Sequence, residues 1–193
     1  MSFLEPPRRA AWQHREARNG FEVVFLELVG DEYRIEGDTA AVEGDEVWSV
    51  RYRIVLSRDW QTTKAHVTSR SAAGRCEVTL QCDEVGRWRI DGAHAPHLDG
   101  CRDVDLESSA LTNAFPVHRL GLLVGEGAEA PAAYVRALDL GVERLEQRYV
   151  RLEDDGARQR YRYTAPGFGF ECDLVYDEAG LLLDYPGIAT RVA

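Results

Sequence analysis

One lysine, Lys64, stands among the 23 basic residues of this 193-residue chain, and cysteine is confined to Cys76, Cys82, Cys101 and Cys172. The arginine bias reflects genome composition more than function and carries no functional weight. Four scattered cysteines with no CxxC pair are too few for a disulfide framework in a chain of this length, which predicts reduced, mainly structural thiols. No apolar run approaches the roughly 20 residues that a bilayer-spanning helix needs. The N-terminal MSFLEPPRRAAWQHREARN follows its arginines with polar residues instead of an apolar signal region. Neither a GxxxxGK[ST] nor a GxGxxG loop occurs, so nucleotide chemistry has little support. Positive charge is short as well: 23 basic against 33 acidic residues give a net charge of -10 and a pI near 5.0. Without a segregated basic run the chain offers no face that neutralises phosphates, which excludes nucleic acid and disfavours anionic membrane surfaces. These absences predict a soluble cytoplasmic protein with no nucleic-acid partner and no stable membrane insertion.

What is present fits a globular chain. Hydrophobic residues make up 45%, charged residues 29% and aromatics 9%, which sets aside disordered, collagenous and coiled-coil readings. The length favours a single domain over residues 1–193. The dominant pattern is alternation with period two, the mark of strands that bury one face. It is clearest from Trp48 to Ile54 and returns at Glu77–Cys82, Arg87–Ile90 and Arg160–Tyr163. Such half-exposed strands predict an antiparallel sheet. Acidic-glycine punctuation at Glu43–Asp45, Asp83–Gly86, Asp154–Gly156 and Asp177–Gly180 predicts a hairpin at each. Helical signals are weaker. Arg8–Asn19 can make one short helix, and Ser108–Ala114 offers capping serines ahead of a stop at Pro116. The expectation is a mainly β protein with one or two short helices.

Laid over itself at an offset of 94, the segment Glu77–Gly86 matches Glu171–Gly180 at five of ten positions, where average composition predicts about one. Two explanations stand side by side: shared hairpin chemistry, or a duplication that makes two similar meanders of one continuous sheet. The stretch Gly92–Gly125 then becomes a central insertion where function can gather, and it holds three of the five histidines.

Three kinds of chemistry compete for that insertion. His94 and His97 with Asp99, Cys101, Asp103 and Asp105 carry metal-donor atoms, but their spacing is neither a zinc pattern nor a calcium loop, and no metal or cofactor is expected. Asp103 and Asp105 project the same way from an extended segment. Crowded together, they could share a proton and serve as an acid/base pair; facing solvent, or neutralised by Arg102 and Arg119, they would not. Ser108, Ser109 and Cys101 lack an elbow motif that would mark a nucleophile. Binding draws on other residues: Trp48, Tyr52, Trp60, Trp88, Tyr149, Tyr161, Tyr163, Phe168 and Phe170 recur along the predicted sheet. They can either wall an apolar cavity for an amphipathic molecule or form a solid aromatic core.

The run Gly100-Cys101-Arg102-Asp103-Val104-Asp105-Leu106, followed by Thr112-Asn113 and Phe115-Pro116-Val117-His118-Arg119-Leu120, resembles the signature G-C-x-D-V-D-L … T-N-x-[LF]-P-I-R-R-L of a bacterial family known as "putative glycolipid-binding". The flanks agree at Tyr52-Arg53-Ile54, Asp59-Trp60, Trp88, Asp91-Gly92, Tyr134-Val135, Gln147, Tyr149, Asp177, Gly180 and Asp184–Gly187, so the resemblance covers most of the chain. It implies a large, strongly curved antiparallel sheet like that of bacterial lipoprotein carriers, a half-barrel whose concave side holds acyl chains. This chain departs from the pattern at Ala110, where relatives show proline, and at His118, where they show the first of two arginines. One arginine fewer weakens the clamping of a doubly charged anion, and a histidine near pKa 6.5 would make binding pH-dependent.

The reading that follows is non-catalytic binding of a glycolipid-like amphipathic ligand. Trp60, Trp88 and Tyr149 would pack on acyl chains, Asp103, Asp105, Thr112 and Asn113 would bond sugar hydroxyls, and Arg119 and His118 would meet the headgroup. Two alternatives remain: an enzyme in which Asp103 and Asp105 hydrolyse or isomerise a sugar derivative, and a purely structural motif.

Overall fold

The computed structural model describes residues 3–193. Its strands are β1 Arg9–His14, β2 Asn19–Val29, β3 Glu32–Glu43, β4 Glu46–Ser57, β5 Thr62–Ser71, β6 Gly74–Cys82, β7 Trp88–Ile90 and β8 Ala93–His94. After a crossover come β9 Asp103–Leu106, the helix α1 Ala114–Leu120, β10 Gly127–Glu129, β11 Ala132–Val135, β12 Val142–Leu145, β13 Arg148–Arg151, β14 Gln159–Ala165, β15 Phe170–Tyr176, β16 Leu182–Tyr185 and β17 Ala189–Arg191. None of the described helices is long and apolar enough to cross a membrane.

The expected strands form where alternation placed them. On β4, Trp48, Val50, Tyr52, Ile54 and Leu56 are buried while Ser49, Arg51 and Arg53 face out. The outward arginines pair across the strand, Arg51 with Asp38 and Arg53 with Glu36. All four predicted hairpins are present, at β3–β4, β6–β7, β13–β14 and β15–β16.

Fourteen strands make one antiparallel sheet in the order β10-β13-β14-β15-β16-β17-β1-β2-β3-β4-β5-β6-β7-β8. The order does not return on itself, so the sheet is not a closed barrel, and its two edges are strands of only three and two residues. Short edges leave little free backbone for unwanted pairing. A second layer, β12-β11-β9, is mixed, with β9 parallel to β11. Groups from both halves of the large sheet converge on this inner segment. The Thr39 hydroxyl donates to Ser108 O, the Ser69 hydroxyl to Ala137 O, the Trp88 indole to Cys101 O and the Tyr176 hydroxyl to Asn113 O. Strands as far apart as β3 and β15 can reach one segment only if the sheet bends around it. The half-barrel expectation therefore holds, with one correction. The concave face expected to hold acyl chains is covered by the chain's own central segment, and most of the aromatics that were candidates for a cavity wall form a solid core.

Two helix expectations are corrected. Arg8–Asn19 is not a helix: Arg9–His14 is a strand joined to β2 on one side and β17 on the other, with the Trp12 indole donating to Leu182 O at 2.8 Å. Pairing with β2 along the whole segment and with β17 from Trp12 to His14 supplies backbone partners on both sides, which outweighs a weak local helix preference. Pro116 does not stop a helix but sits in the first turn of α1, where its missing N–H is not needed. A short 3₁₀ turn, Leu111–Asn113, leads in, and Gly121 at φ +55° ends the helix in the left-handed conformation.

The internal correspondence has a physical basis in its turns. Asp83 Oδ1 accepts the backbone N–H groups of Val85 and Arg87, and Asp177 Oδ1 accepts those of Ala179 and Leu181. Gly86 and Gly180 close the two loops at positive φ with N–H bonds to Asp83 O and Asp177 O. Equivalent atoms make equivalent bonds, so shared hairpin chemistry accounts for the aspartate and glycine matches.

Candidate functional site

Burial and polarity together pick out the central segment. β9 is buried at all four positions, although two of them are aspartates. Asp103 is held by Arg119, whose Nε and Nη2 donate to its two carboxylate oxygens at 3.1 and 2.5 Å. Burial raises the Asp103 carboxyl while the guanidinium opposes it. Asp105 has no ion-pair partner among the described residues. Its Oδ1 accepts from the Thr112 hydroxyl at 2.9 Å and its Oδ2 from the Gln147 amide at 2.9 Å. Burial dominates there and pushes the carboxyl up to about 6. The two carboxylates thus answer to different partners and do not form a proton-sharing pair. Arg102, the other cation considered for them, reaches instead to Gln61 and Glu84 O.

Behind Asp105 lies a polar cluster that the sequence did not reveal. Glu22, fully buried on β2, accepts from the Tyr52 hydroxyl at 2.5 Å, the Ser109 hydroxyl at 2.5 Å and the Ala110 backbone N–H at 2.8 Å. Tyr52 reaches Glu22 across β3 because Gly37 leaves the way open. A Cβ at Gly37 would lie 2.1 Å from the Tyr52 ring.

Where the inner layer meets the C-terminal half of the large sheet, a cleft of about 200 Å³ remains. Its lining combines the rings of Tyr134, Tyr163, Phe168, Phe170 and Tyr185 with the polar groups of Asp105, Glu107, Ser109, Asn113, His14 and Arg18. Tyr134 lies beside Asp105 on the inner layer, while Tyr163, Phe170 and Tyr185 belong to β14, β15 and β16. Tyr163, Phe170 and Tyr185, from neighbouring strands, form a triangle with centroids 6.2, 6.1 and 6.0 Å apart, and Tyr134 meets Phe168 edge-on at 5.3 Å. Phe168 is largely exposed at the mouth. Asn113 turns its Oδ1 to the Tyr149 hydroxyl at 3.1 Å, which leaves its amide NH₂ for the cleft. Arg18 is buried over the Trp48 ring and engaged by Glu107 and Glu43. His14, only 2% exposed, has no hydrogen-bond partner on either ring nitrogen among the described residues.

The residues singled out in the sequence divide accordingly. Asp105 and Asn113 line the cleft. Thr112 and Tyr149 stand one layer behind, bonded to them. Asp103 and Arg119 pair with each other away from the cleft lining. His118 stacks on Trp60 with centroids 3.6 Å apart, and Trp88 is enclosed on β7, so none of these three lines the cleft. Burial lowers the His118 pKa to about 3, which keeps it uncharged near neutral pH. That corrects the expectation of pH-dependent binding through His118. His94 bonds Asp99 at 3.2 Å, the four cysteines are free, and no metal-holding group of three donors comes together among the described residues. His14, Arg18, Tyr134 and Tyr185 were not singled out as site residues. Tyr134 and Tyr185 fall in the flanks that match the family pattern, which gave them no role, and His14 and Arg18 carry no local signal.

The comparisons with known proteins agree with this architecture. No functionally curated protein matches the chain. The crystal structure at 1.80 Å of a DUF1089 family protein from Pseudomonas aeruginosa is 33% identical, with a TM-score of 0.75 over 89% of this chain and 92% of that one. A β-barrel-like protein of domain of unknown function DUF1849 from Brucella abortus shares the fold alone, at 9% identity and a TM-score of 0.53 over 95% and 94%. A family model described as "Putative glycolipid-binding" matches residues 9–191, and the chain belongs to that family.

Proposed function

We propose that the protein binds an amphipathic ligand of the glycolipid class, without chemistry, in the cleft between the inner layer and β14–β16. The observation that carries this reading is a cleft lined by five aromatic rings and several polar side chains, among them a buried carboxyl, Asp105, with no ion-pair partner among the described residues. Apolar parts of a ligand would pack on Tyr163, Phe170 and Phe168, gaining roughly 25 cal/mol per Å² removed from water. Hydroxyls would bond Asp105, whose two oxygens each keep a free lone pair, and the Asn113 amide. The cleft's small volume suits a head and the first part of a chain, with the remainder leaving past exposed Phe168. The family description supports the same class of ligand.

Mass spectrometry of the purified protein, native and then denatured, after incubation with a cell lipid extract tests this reading. A small amphiphile should be retained by the folded protein and released on unfolding. Asp105→Ala should weaken retention while the fold persists. A clean apo mass after incubation would refute the reading.

A catalytic reading draws on one observation, the Asp105 carboxyl at about 6, the range in which a general acid or base works. It predicts that a retained glycoside is recovered with a changed mass. The binding reading predicts that it is recovered intact.

A further inference from the structure

The charge and hydrogen-bond balance of the cleft narrows its ligand further, on the premise that the cleft is the binding site. An anionic headgroup needs an unengaged cation. The cleft's one guanidinium, Arg18, donates to Glu107 O at 3.0 Å, lies 3.6 Å from the Glu107 carboxylate and 3.5 Å from that of Glu43, and is stacked over Trp48. Asp105 and Glu107 line the same cleft, and the Glu22 carboxylate sits behind Ser109. A phosphate or sulfate would meet these carboxylates, and the one guanidinium that could offset them is already shared between Glu107 and Glu43, with its buried Nε lacking a hydrogen-bond partner among the described residues.

His14 supplies the complementary observation. It lines the cleft, is 2% exposed, and has no hydrogen-bond partner on either ring nitrogen among the described residues; its nearest carboxylate, Glu22, is 3.9 Å away. A buried polar group left unpaired costs free energy that only an incoming donor or acceptor can return. Hydroxyls act as both, and a saturated ring that carries them presents C–H faces to aromatic side chains. We propose that the cleft takes an uncharged, hydroxyl-rich glycosyl head, and that His14 is a residue that reads it. The acceptors Asp105 and Ser109 and the donor Asn113 surround the same head, so it is gripped by groups of both hydrogen-bonding senses.

The test compares three probes on the intact protein below micelle-forming concentrations: n-octyl β-D-glucopyranoside, n-octyl phosphate and methyl β-D-glucopyranoside. Calorimetry should show the octyl glycoside binding at least tenfold more tightly than the phosphate. His14→Leu should lose about tenfold in glycoside affinity, and His14→Gln, which restores a donor and an acceptor, should recover part of it. Independently of any variant, the His14 ring ¹⁵N resonances should shift when the octyl glycoside is added. Equal or tighter phosphate binding overturns the inference but leaves cleft binding standing. Unmoved His14 resonances, or His14→Leu binding as the natural protein does, remove His14 from it. If the methyl glycoside binds as tightly as the octyl, the head reading holds and the amphipathic reading falls. If no probe binds, both fall together.

Discussion

Asp103 and Asp105 stand two residues apart on one strand, yet one carboxylate is neutralised by Arg119 and the other has only Thr112 and Gln147. The difference should appear as a pH dependence of stability. The Asp105 carboxyl rises from 3.8 to about 6 on folding, so between these values the folded protein holds a proton that the unfolded chain has lost. Stability from this group therefore falls as pH rises through that window, by about 3 kcal/mol. Asp105→Asn removes the term, so its stability relative to the natural protein should worsen on going from pH 7 to pH 4. Urea midpoints at the two pH values measure this, and an unchanged gap would contradict it.

His118 should act with the opposite sign. Its pKa falls from 6.5 to about 3 on folding, so below 6.5 the unfolded chain takes up a proton that the stacked ring refuses. Stability is lost as pH falls through that window. His118→Gln should therefore gain on the natural protein as pH drops from 7 to 4, by roughly 3 kcal/mol at most. The two opposed terms predict a shallow profile for the natural protein and steep, opposite profiles for the variants.

Glu22 gathers three donors in the core, and losing it strands all of them. Glu22→Ala should cost about 3 kcal/mol or more, whereas Glu22→Gln keeps one acceptor and should cost less. Thermal melts that place Glu22→Ala within a few tenths of a kcal/mol of the natural protein would show the cluster to be dispensable.

Arg119 is expected to matter for the fold and not for the ligand. Arg119→Ala leaves Asp103, 2% exposed, without its countercharge, which costs about 3–5 kcal/mol. The double variant Arg119→Met with Asp103→Leu should recover most of that loss and still bind ligand. If Arg119→Ala folds normally and only ligand retention suffers, the residue belongs to the site.

How much of this was legible in the sequence follows from how local each signal is. Alternation from Trp48 to Ile54 records a strand with one wet face, and Asp83–Gly86 writes its own turn in side-chain bonds. β1 was illegible because one strand that fixes it, β17, lies at the far end of the sequence, and because three successive residues, Ala10 to Trp12, are buried, which breaks the alternation. The motif from Asp103 to Arg119 was visible as a dense cluster of polar residues. Much of that density serves to anchor the inner segment: Thr112 braces Asp105 and the backbone of Leu106, and Arg119 holds Asp103. The cleft itself stayed hidden. His14, Tyr134, Phe168 and Tyr185 become neighbours only after the large sheet has wrapped the inner layer, so that neither an aromatic in a strand nor a match to a family pattern tells which of them meet.

The seam between β1 and β17 has a consequence for synthesis. Ala10 finds Val24 on β2 as soon as that hairpin is made, but Trp12 must wait for Leu182 and Arg191. At about 5–20 residues per second, the intervening chain takes on the order of ten to thirty seconds to emerge from the ribosome. Throughout that interval the N-terminal strands can pair among themselves, but β1 presents a bare edge and its tryptophan is unburied. In the folded molecule the large sheet ends in strands of two and three residues, whereas the nascent chain carries an edge of six. Aggregation should therefore threaten this protein most while it is being made, and slowing translation after β2 should lower its soluble yield more than any change to the finished fold's surface.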